Sequence, residues 1–167
     1  MSGILEAERI IRAHQQRAPV QTLDIAAALG LKVYHVKDWD DDISGLIRKD
    51  DKLGGPSGYA IFVNGNHPKV RRRFTTAHEI AHFALHKSLI GDGITDDGLY
   101  RSKLSGTIET QANRMAADIL MPWHLIREAT DNGLSTVAEL ARHFEVSRST
   151  MSIQLGVPYE TNKADAA

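Results

Sequence analysis

The feature that most constrains this sequence is the run His78-Glu79-Ile80-Ala81-His82, which has the form H-E-x-x-H. In an α-helix, residues four positions apart lie on one face, so His78 and His82 can bind a single metal ion. Glu79 would then face a water molecule in the open position of that metal, an arrangement that suits amide hydrolysis. Short motifs also occur by chance, and the alternative is a pair of partly buried histidines with hydrogen-bond partners.

The surrounding sequence predicts the helix that the motif requires. Apolar residues recur at steps of three and four positions between Val70 and His86, which is typical of one buried stripe of an amphipathic helix. These residues are Phe74, Ala77, Ala81 and Leu85. Upstream, the apolar run Ala60–Asn64 predicts a strand. We expect the free edge of this strand to bind an extended peptide by strand addition.

Two residues are candidates for a third metal ligand, since a catalytic zinc site has three protein ligands and one open position. His86 lies about 12 Å along the helix axis from His78, so an intact helix keeps it away from the same ion. A second helical pattern, Thr107–Met121, carries Glu109 at the border of its apolar stripe. Glu109 is the better candidate, and the alternative is a solvated glutamate that the helix dipole favours in a first turn.

Two longer runs of sequence resemble one known family. The run from Arg72 to His86 is similar to the signature R-x-F-T-x-A-H-E-x-x-H-x-x-L-H of the ImmA/IrrE family of metallo-endopeptidases. The run from Glu109 to Pro122 resembles the second signature of that family, E-x-x-A-N-x-F-A-A-x-L-L-M-P, with Met115 in place of the usual Phe. The resemblance extends more loosely over residues 5–155.

The resemblance implies a zincin-like peptidase that cuts a protein substrate, namely a transcriptional repressor of the helix-turn-helix (XRE) type. It implies His78, His82 and Glu109 as metal ligands and Glu79 as the general base. The expected metal is Zn²⁺, with Mn²⁺ as the alternative. The expected setting is a stress response or the control of a mobile element.

A peptidase of this kind usually needs a second electrophile beside the metal. Tyr100, His67 and His124 are candidates, and the sequence offers no basis for choosing among them. For each, a packing or surface role is the alternative. Asn113, one helical turn after Glu109, is a candidate for a residue that orients a ligand by hydrogen bonding.

The composition limits the class of protein. The chain has 167 residues, enough for one domain, and no cysteine, which excludes disulfides and thiolate metal sites. Its 20 Lys and Arg against 21 Asp and Glu give a net charge of −1, which argues against broad nucleic-acid binding. We interpret the consecutive residues Arg71–Arg73 as a solvated helix face, the alternative being contact with an acidic partner. Without a signal peptide or a membrane span, we expect a cytoplasmic protein.

The expected fold is α+β, with a small, mostly antiparallel sheet packed on the H-E-x-x-H helix and further helices around it. We expect one peptidase domain over residues 1–157 and a flexible tail over 158–167. The remaining expected elements are a helix over 3–16, a helix that Thr22 caps and that ends at Gly30, strands at about 31–36, 45–48 and 58–63, and a long polar loop over 87–106.

Residues 134–156 predict a helix-turn-helix, with Ser135 or Thr136 at the start and Ser147 as the cap of its second helix. This segment supports a rival hypothesis, in which the chain is a non-proteolytic, metal-stabilised interaction protein. Such a protein could be a toxin–antitoxin component or a DNA-binding regulator. Few basic residues flank the segment, which weakens the case for DNA contact, and no residue is assigned to nucleic-acid binding.

Overall fold

The computed structural model describes residues 2–91, 94–97 and 106–158 and has the expected α+β class. In chain order, the elements are α1 (Ser2–Ala13), α2 (Thr22–Ala28), β1 (Leu31–Val36), β2 (Ile43–Lys49), β3 (Tyr59–Asn64), α3 (Lys69–Leu85), a 3₁₀ turn (Lys87–Leu89), β4 (Ile94–Asp97), α4 (Gly106–Leu120), α5 (Trp123–Asp131), α6 (Val137–Phe144) and α7 (Arg148–Leu155). None of the described helices has the length and hydrophobicity of a membrane-spanning segment.

The four strands form one mixed sheet in the order β1-β3-β2-β4. β1 runs parallel to β3, while β2 is antiparallel to both β3 and β4. The strand before the H-E-x-x-H helix, β3, is therefore central, and its residues 60–64 are all buried. The expectation that this strand offers a free edge to a peptide is wrong, because β1 and β2 occupy both of its edges. A continuous apolar run is the pattern of a buried central strand.

The fourth strand corrects the expectation of a loop over residues 87–106. Within that stretch the structure has the 3₁₀ turn and then β4, whose backbone pairs with β2 from Ile47↔Ile94 to Ile43↔Asp97. A strand of four residues that includes two aspartates gives little signal in the sequence, since Asp is depleted in strands. Pairing with β2 supplies the backbone hydrogen bonds that define it as a strand.

The start of α2 also differs from the prediction that Thr22 caps it. Gln21 is the N-cap, in an extended conformation and without a side-chain cap hydrogen bond, and Thr22 is the first helical residue. Thr22 is only 3% exposed, so it is a buried residue of the first helical turn and not the cap. The prediction that the helix ends at Gly30 agrees with the structure. Gly30 follows the helix with a φ of +79°, a conformation that glycine adopts readily.

The helix α3 joins the sheet to the other helices. Ala77, Ile80 and Ala81 are fully buried at its centre, and α3 contacts β2, β3 and α4. Small side chains let a helix approach its neighbours closely, which is why the motif residues lie inside the molecule rather than on its surface. One hydrophobic core includes residues from α1, from the sheet and from α7, such as Ile11, Ile61 and Met151.

The predicted helix-turn-helix segment consists of α6 and α7, with their caps at Thr136 and Ser147. The linking residue Glu145 has a left-handed backbone, with a φ of 54°. The guanidinium of Arg73 in α3 donates to the carbonyl of Glu145 (3.1 Å) and to that of Phe144 (3.3 Å). Arg73 is only 8% exposed, so the run Arg71–Arg73 is not one solvated helix face as interpreted.

Candidate metal centre

The structure brings together the three side chains that were expected to hold a metal. The Nε2 atom of His78 lies 3.2 Å from Oε2 of Glu109, and Nε2 of His82 lies 3.2 Å from Oε1 of the same carboxylate. The side chains of His78, His82 and Glu109 are 2%, 0% and 12% exposed. Their ligand atoms all lie within 4.8 Å of one another, which is close enough for one ion to contact all three.

Two helices that are far apart in sequence build this cluster. The spacing of four residues in α3 places both histidines on one face, with ring centroids 4.6 Å apart. The helix α4 packs against α3, and its residues Ala112 and Ala116 are fully buried. Because alanine has a short side chain, α4 approaches α3 closely enough for Glu109 to reach both imidazoles.

The electrostatics of the cluster favour the forms that bind a metal. Burial alone would raise the pKa of Glu109, but hydrogen bonding and charge interaction with His78 and His82 hold this pKa well below its usual range. Burial is the main cause that lowers the pKa of His82, and the opposing contribution of Glu109 is smaller. A metal site needs a carboxylate and neutral imidazoles, which are the forms that these shifts favour.

A buried chain of hydrogen bonds indicates which nitrogen of His82 faces the cluster. Nε2 of His86 lies 2.9 Å from Oε1 of Gln111, and if His86 is neutral and donates to this oxygen, its Nδ1 is an acceptor. Nδ1 of His82, 3.0 Å away, then donates to it, and Nε2 of His82 carries a lone pair. That lone pair faces an oxygen of Glu109. Without a metal, a proton on Nε2 of His82 makes the hydrogen bond to Glu109, and in the tautomer with a bare Nε2 a metal ion would take the place of that proton. The donor set therefore fits a metal ion.

His86 and Gln111 are residues whose role the sequence did not reveal. Geometry excludes His86 as a ligand of an intact helix, and the structure indeed keeps it out of the three-residue cluster. It lies at the C-terminal cap of α3, is 6% exposed and contacts His82 instead. The spacing of His82 and His86 repeats that of His78 and His82, and this repeat is the signal that could have suggested a supporting contact.

We expect His86→Ala to weaken metal binding by about 10- to 100-fold, because the ring of His82 loses the acceptor that orients it. Gln111→Ala, which keeps both histidines, should also weaken metal binding, but by a smaller factor than His86→Ala. Competition with a chromophoric metal chelator measures both effects. His143→Ala, which removes an exposed histidine of α6, is the matched control. Affinities equal to that of the control would show that this chain of hydrogen bonds does not orient His82.

Glu79 is fully buried and lies against the sheet. A Cβ atom built on Gly45 of β2 would lie 3.2 Å from Oε1 of Glu79 and 2.5 Å from Cγ2 of Thr75. Glycine at position 45 therefore leaves the space that the carboxylate of Glu79 occupies beside the sheet. The position of Glu79 between the two histidines suits an expected role as a general base.

The candidates for a second electrophile or for a ligand-orienting residue either lie outside the three-residue cluster or are not among the described residues. Tyr100 lies outside the described residues. The ring of His67 contacts the carbonyl of Asp41 at 2.8 Å, and that of His124 contacts the carbonyl of Gln15 at 2.8 Å. These two rings therefore support the backbone of other loops. Asn113 lines a cavity between α4 and α7 together with Phe74 and Ile153, and its role stays a prediction.

Comparisons with known proteins agree with this geometry. A sequence model of the IrrE N-terminal-like domain, a peptidase family, matches residues 26–155. The radiation response metalloprotease IrrE of Deinococcus radiodurans is 38% identical over 102 residues, covering 57% of this chain and 30% of that protein. The protein of the same name from Deinococcus deserti is 36% identical over 102 residues, covering 57% and 35%. The solved structure of a Mycobacterium tuberculosis transcriptional regulator is similar, with a TM-score of 0.60.

These similarities differ in what they support. The Mycobacterium structure shares 18% identity over 97% of this chain and 48% of its own, so it supports the fold alone. The chain spans about a third of the length of the two Deinococcus relatives. The match to the IrrE N-terminal-like domain covers most of the chain and includes both helices that carry the cluster of His78, His82 and Glu109. This chain therefore belongs to the ImmA/IrrE family of metallopeptidases.

Proposed function

We propose that this chain is a zinc-dependent endopeptidase in which His78, His82 and Glu109 hold the metal. The observation that carries the proposal is the convergence of the three ligand atoms in a buried cluster within 4.8 Å. Two imidazoles and one carboxylate suit zinc, with manganese as the alternative. When bound, the metal supplies a Lewis acid that activates water and polarises the scissile carbonyl.

In this proposal, Glu79 transfers the protons of the reaction. Its carboxylate accepts a proton from the attacking water and later donates a proton to the leaving amine. Burial of Glu79 beside Gly45 supports this role, since the helix and the sheet fix the carboxylate in one place. Tyr100 stays a predicted second electrophile. Asn113 stays a predicted outer-shell residue.

An extended segment of the substrate would bind along the sheet. Among the described strands, none pairs with the outer edge of β4, and β4 neighbours β2, which carries Gly45 beside Glu79. A peptide that adds a strand to this edge would form backbone hydrogen bonds that do not depend on its sequence. We therefore assign the binding of an extended peptide by strand addition to the edge of β4, and no longer to β3.

The proposed substrate is a transcriptional repressor of the XRE helix-turn-helix type, cut in a stress response or in the control of a mobile element. The family resemblance supports the repressor as substrate. The name of the Deinococcus relatives, radiation response metalloprotease, supports the stress setting. We further propose that residues 1–157 form one peptidase domain, which is supported by the single hydrophobic core that extends from α1 to α7.

The charges of α6 and α7 weigh against the rival hypothesis of DNA binding. Residues 134–156 contain two arginines, Arg142 and Arg148, and two glutamates, Glu139 and Glu145, so their formal charges cancel. Contact with DNA phosphates needs an excess of positive charge. Ile153 on α7 is 79% exposed and offers no hydrogen bond to a base edge.

Removal of the metal tests the proposed function. The purified protein is incubated with a library of peptides derived from a bacterial proteome, and cleavage products are identified by mass spectrometry. We expect a defined set of cleaved bonds, loss of all cleavage after treatment with a chelator, and recovery when Zn²⁺ is added back. Cleavage that survives chelation, or no cleaved bond with a fully metal-loaded protein, would contradict the proposal.

A further inference from the structure

A second cavity, of about 330 Å³, lies on another side of α3 from the metal-binding cluster. Its wall is formed by the start of α2, by β1, by the first half of α3 and by the turn after α6. Thr76 lines this cavity and is two residues from His78, so the two side chains point to roughly opposite faces of α3. The cavity is therefore separate from the site at which peptide hydrolysis is proposed.

The charged groups of this wall carry an excess of positive charge. Lys69, Arg72 and Arg73 supply three positive charges, and Glu145 supplies one negative charge, which leaves an excess of two. Glu145 is already engaged, with 3.1 Å to Nζ of Lys69 and 3.7 Å to Nε of Arg73. His35 also lines the cavity, and its pKa is lowered first by partial burial and then by the nearby Arg72.

Arg72 is the group of this wall whose hydrogen-bonding capacity is not met. It is half-buried, and its Nε atom is closed off from solvent without a hydrogen-bond partner among the described residues. The two neighbouring arginines of α3 do have hydrogen-bond acceptors. Arg73 donates to two carbonyls, and Arg71 donates to Oγ of Ser44. A buried donor without an acceptor is unfavourable, and more so when it is charged. Nε itself is shielded from the cavity, so an anion there would be held by the terminal N–H groups of the same guanidinium, which form no hydrogen bond with a described residue.

We propose that this cavity binds a small anion that carries a phosphate group. A guanidinium matches a phosphate because its planar N–H groups donate to two oxygens at once, and the ammonium of Lys69 adds a third donor. The volume lies at the lower end of the range for small-molecule sites, about 300–1,000 Å³. Such a concave space admits a phosphate and part of the group that bears it, but not the surface of a folded protein.

The full-length protein, with its metal bound, is the sample for the test. Inorganic phosphate is titrated into it in a chloride buffer, and binding is followed by calorimetry and by the NMR shifts of the backbone amides of residues 69–76. We expect saturable binding in the millimolar range or tighter. A nucleoside monophosphate and the corresponding nucleoside are titrated next. Tighter binding of the monophosphate indicates a phosphorylated metabolite as the ligand, and equal binding indicates free phosphate.

Three variants locate the binding site. Arg72→Gln should weaken phosphate binding by about tenfold or more, because a charge-assisted donor is lost. Arg71→Gln removes the same charge from the same helix outside the cavity, so it should bind like the wild type. Glu145→Gln should bind more tightly, because it removes the negative charge that competes for Lys69 and Arg73.

Two outcomes would overturn the proposal. The first is a wild-type protein that shows no saturable binding of phosphate or of the nucleoside monophosphate. The second is equal weakening by Arg71→Gln and Arg72→Gln, which would indicate diffuse attraction by the basic helix instead of a site. Lys69→Gln, at a more exposed residue, provides a second test in case Arg72→Gln does not fold. Unchanged binding in a folded Lys69→Gln variant would also count against the site.

Discussion

Glu79→Gln is expected to abolish peptide cleavage while the metal content stays at the wild-type level. Glutamine keeps the size of the side chain but cannot accept the proton of the attacking water, and loss of a general base typically lowers the rate by about 10²- to 10⁴-fold. Glu79 is not among the three residues of the cluster, so the metal should remain bound. Single-turnover cleavage of a peptide found in the library and elemental analysis of the same sample measure the two quantities.

The control for this variant is Glu128→Gln, which makes the same chemical change at an exposed residue of α5. It should cleave the peptide at the wild-type rate. A Glu79→Gln variant that retains cleavage would exclude Glu79 as the base. If a biological effect of the protein persists in an inactive Glu79→Gln variant that still holds metal, that effect comes from binding, as in the rival interaction hypothesis.

Glu109→Ala is expected to weaken metal binding more than 100-fold. Structural zinc sites gain about 10–16 kcal/mol from four ligands, so one ligand accounts for roughly 3 kcal/mol, a factor of over 100 in affinity. The variant also leaves His78 and His82 without the carboxylate that contacts both of them. Competition with a metal chelator measures the affinity, and circular dichroism checks that the helices persist.

Glu128→Ala provides the matched control for Glu109→Ala. It truncates an exposed glutamate and should bind metal like the wild type. About one zinc per chain in the wild type, with a sharp loss in Glu109→Ala alone, would support the three-ligand site. Equal affinity in the two variants would mean that Glu109 is a helix-start carboxylate near the histidines and not a ligand.

The helices of the site could be predicted from the sequence because their periodicity is strong. The pattern over Val70–His86 corresponds to α3 at Lys69–Leu85, and that over Thr107–Met121 corresponds to α4 at Gly106–Leu120. Spacing within one helix also placed His78 and His82 on one face. The position of Glu109 opposite them depends on how α4 packs, and single-sequence periodicity carries no information about the pairing of two helices. The family resemblance supplied that pairing.

The parts that the sequence did not predict depend on contacts between distant segments. A strand such as β4, with two aspartates in four residues, becomes a strand only beside β2. The contact between His86 and Gln111 joins residues 25 positions apart through α3 and α4. Which edges of the sheet are free likewise follows from strand order, which the local pattern of β3 does not contain.

The interpretation of the three arginines was wrong for a reason that the sequence does contain. Successive residues of a helix point about 100° apart, so three neighbours cannot share one face. Arg71 contacts Ser44, Arg72 lines the second cavity and Arg73 reaches the turn after α6. Three consecutive like-charged residues on a helix are therefore expected to lie in three different environments. Here the environment of Arg73 is buried.

The contact between Arg73 and the turn after α6 determines which parts of this protein would be needed to transfer the proposed metal centre into another protein. Phe144 and Met151 are fully buried, and Arg73 donates to the carbonyl of Phe144. A transferred segment that ended before α6 would expose apolar surface and leave the buried guanidinium of Arg73 without acceptors in the first turns of α3. The smallest segment that could be transferred with the site intact therefore includes α6 and α7, although neither helix contributes a residue to the three-residue cluster.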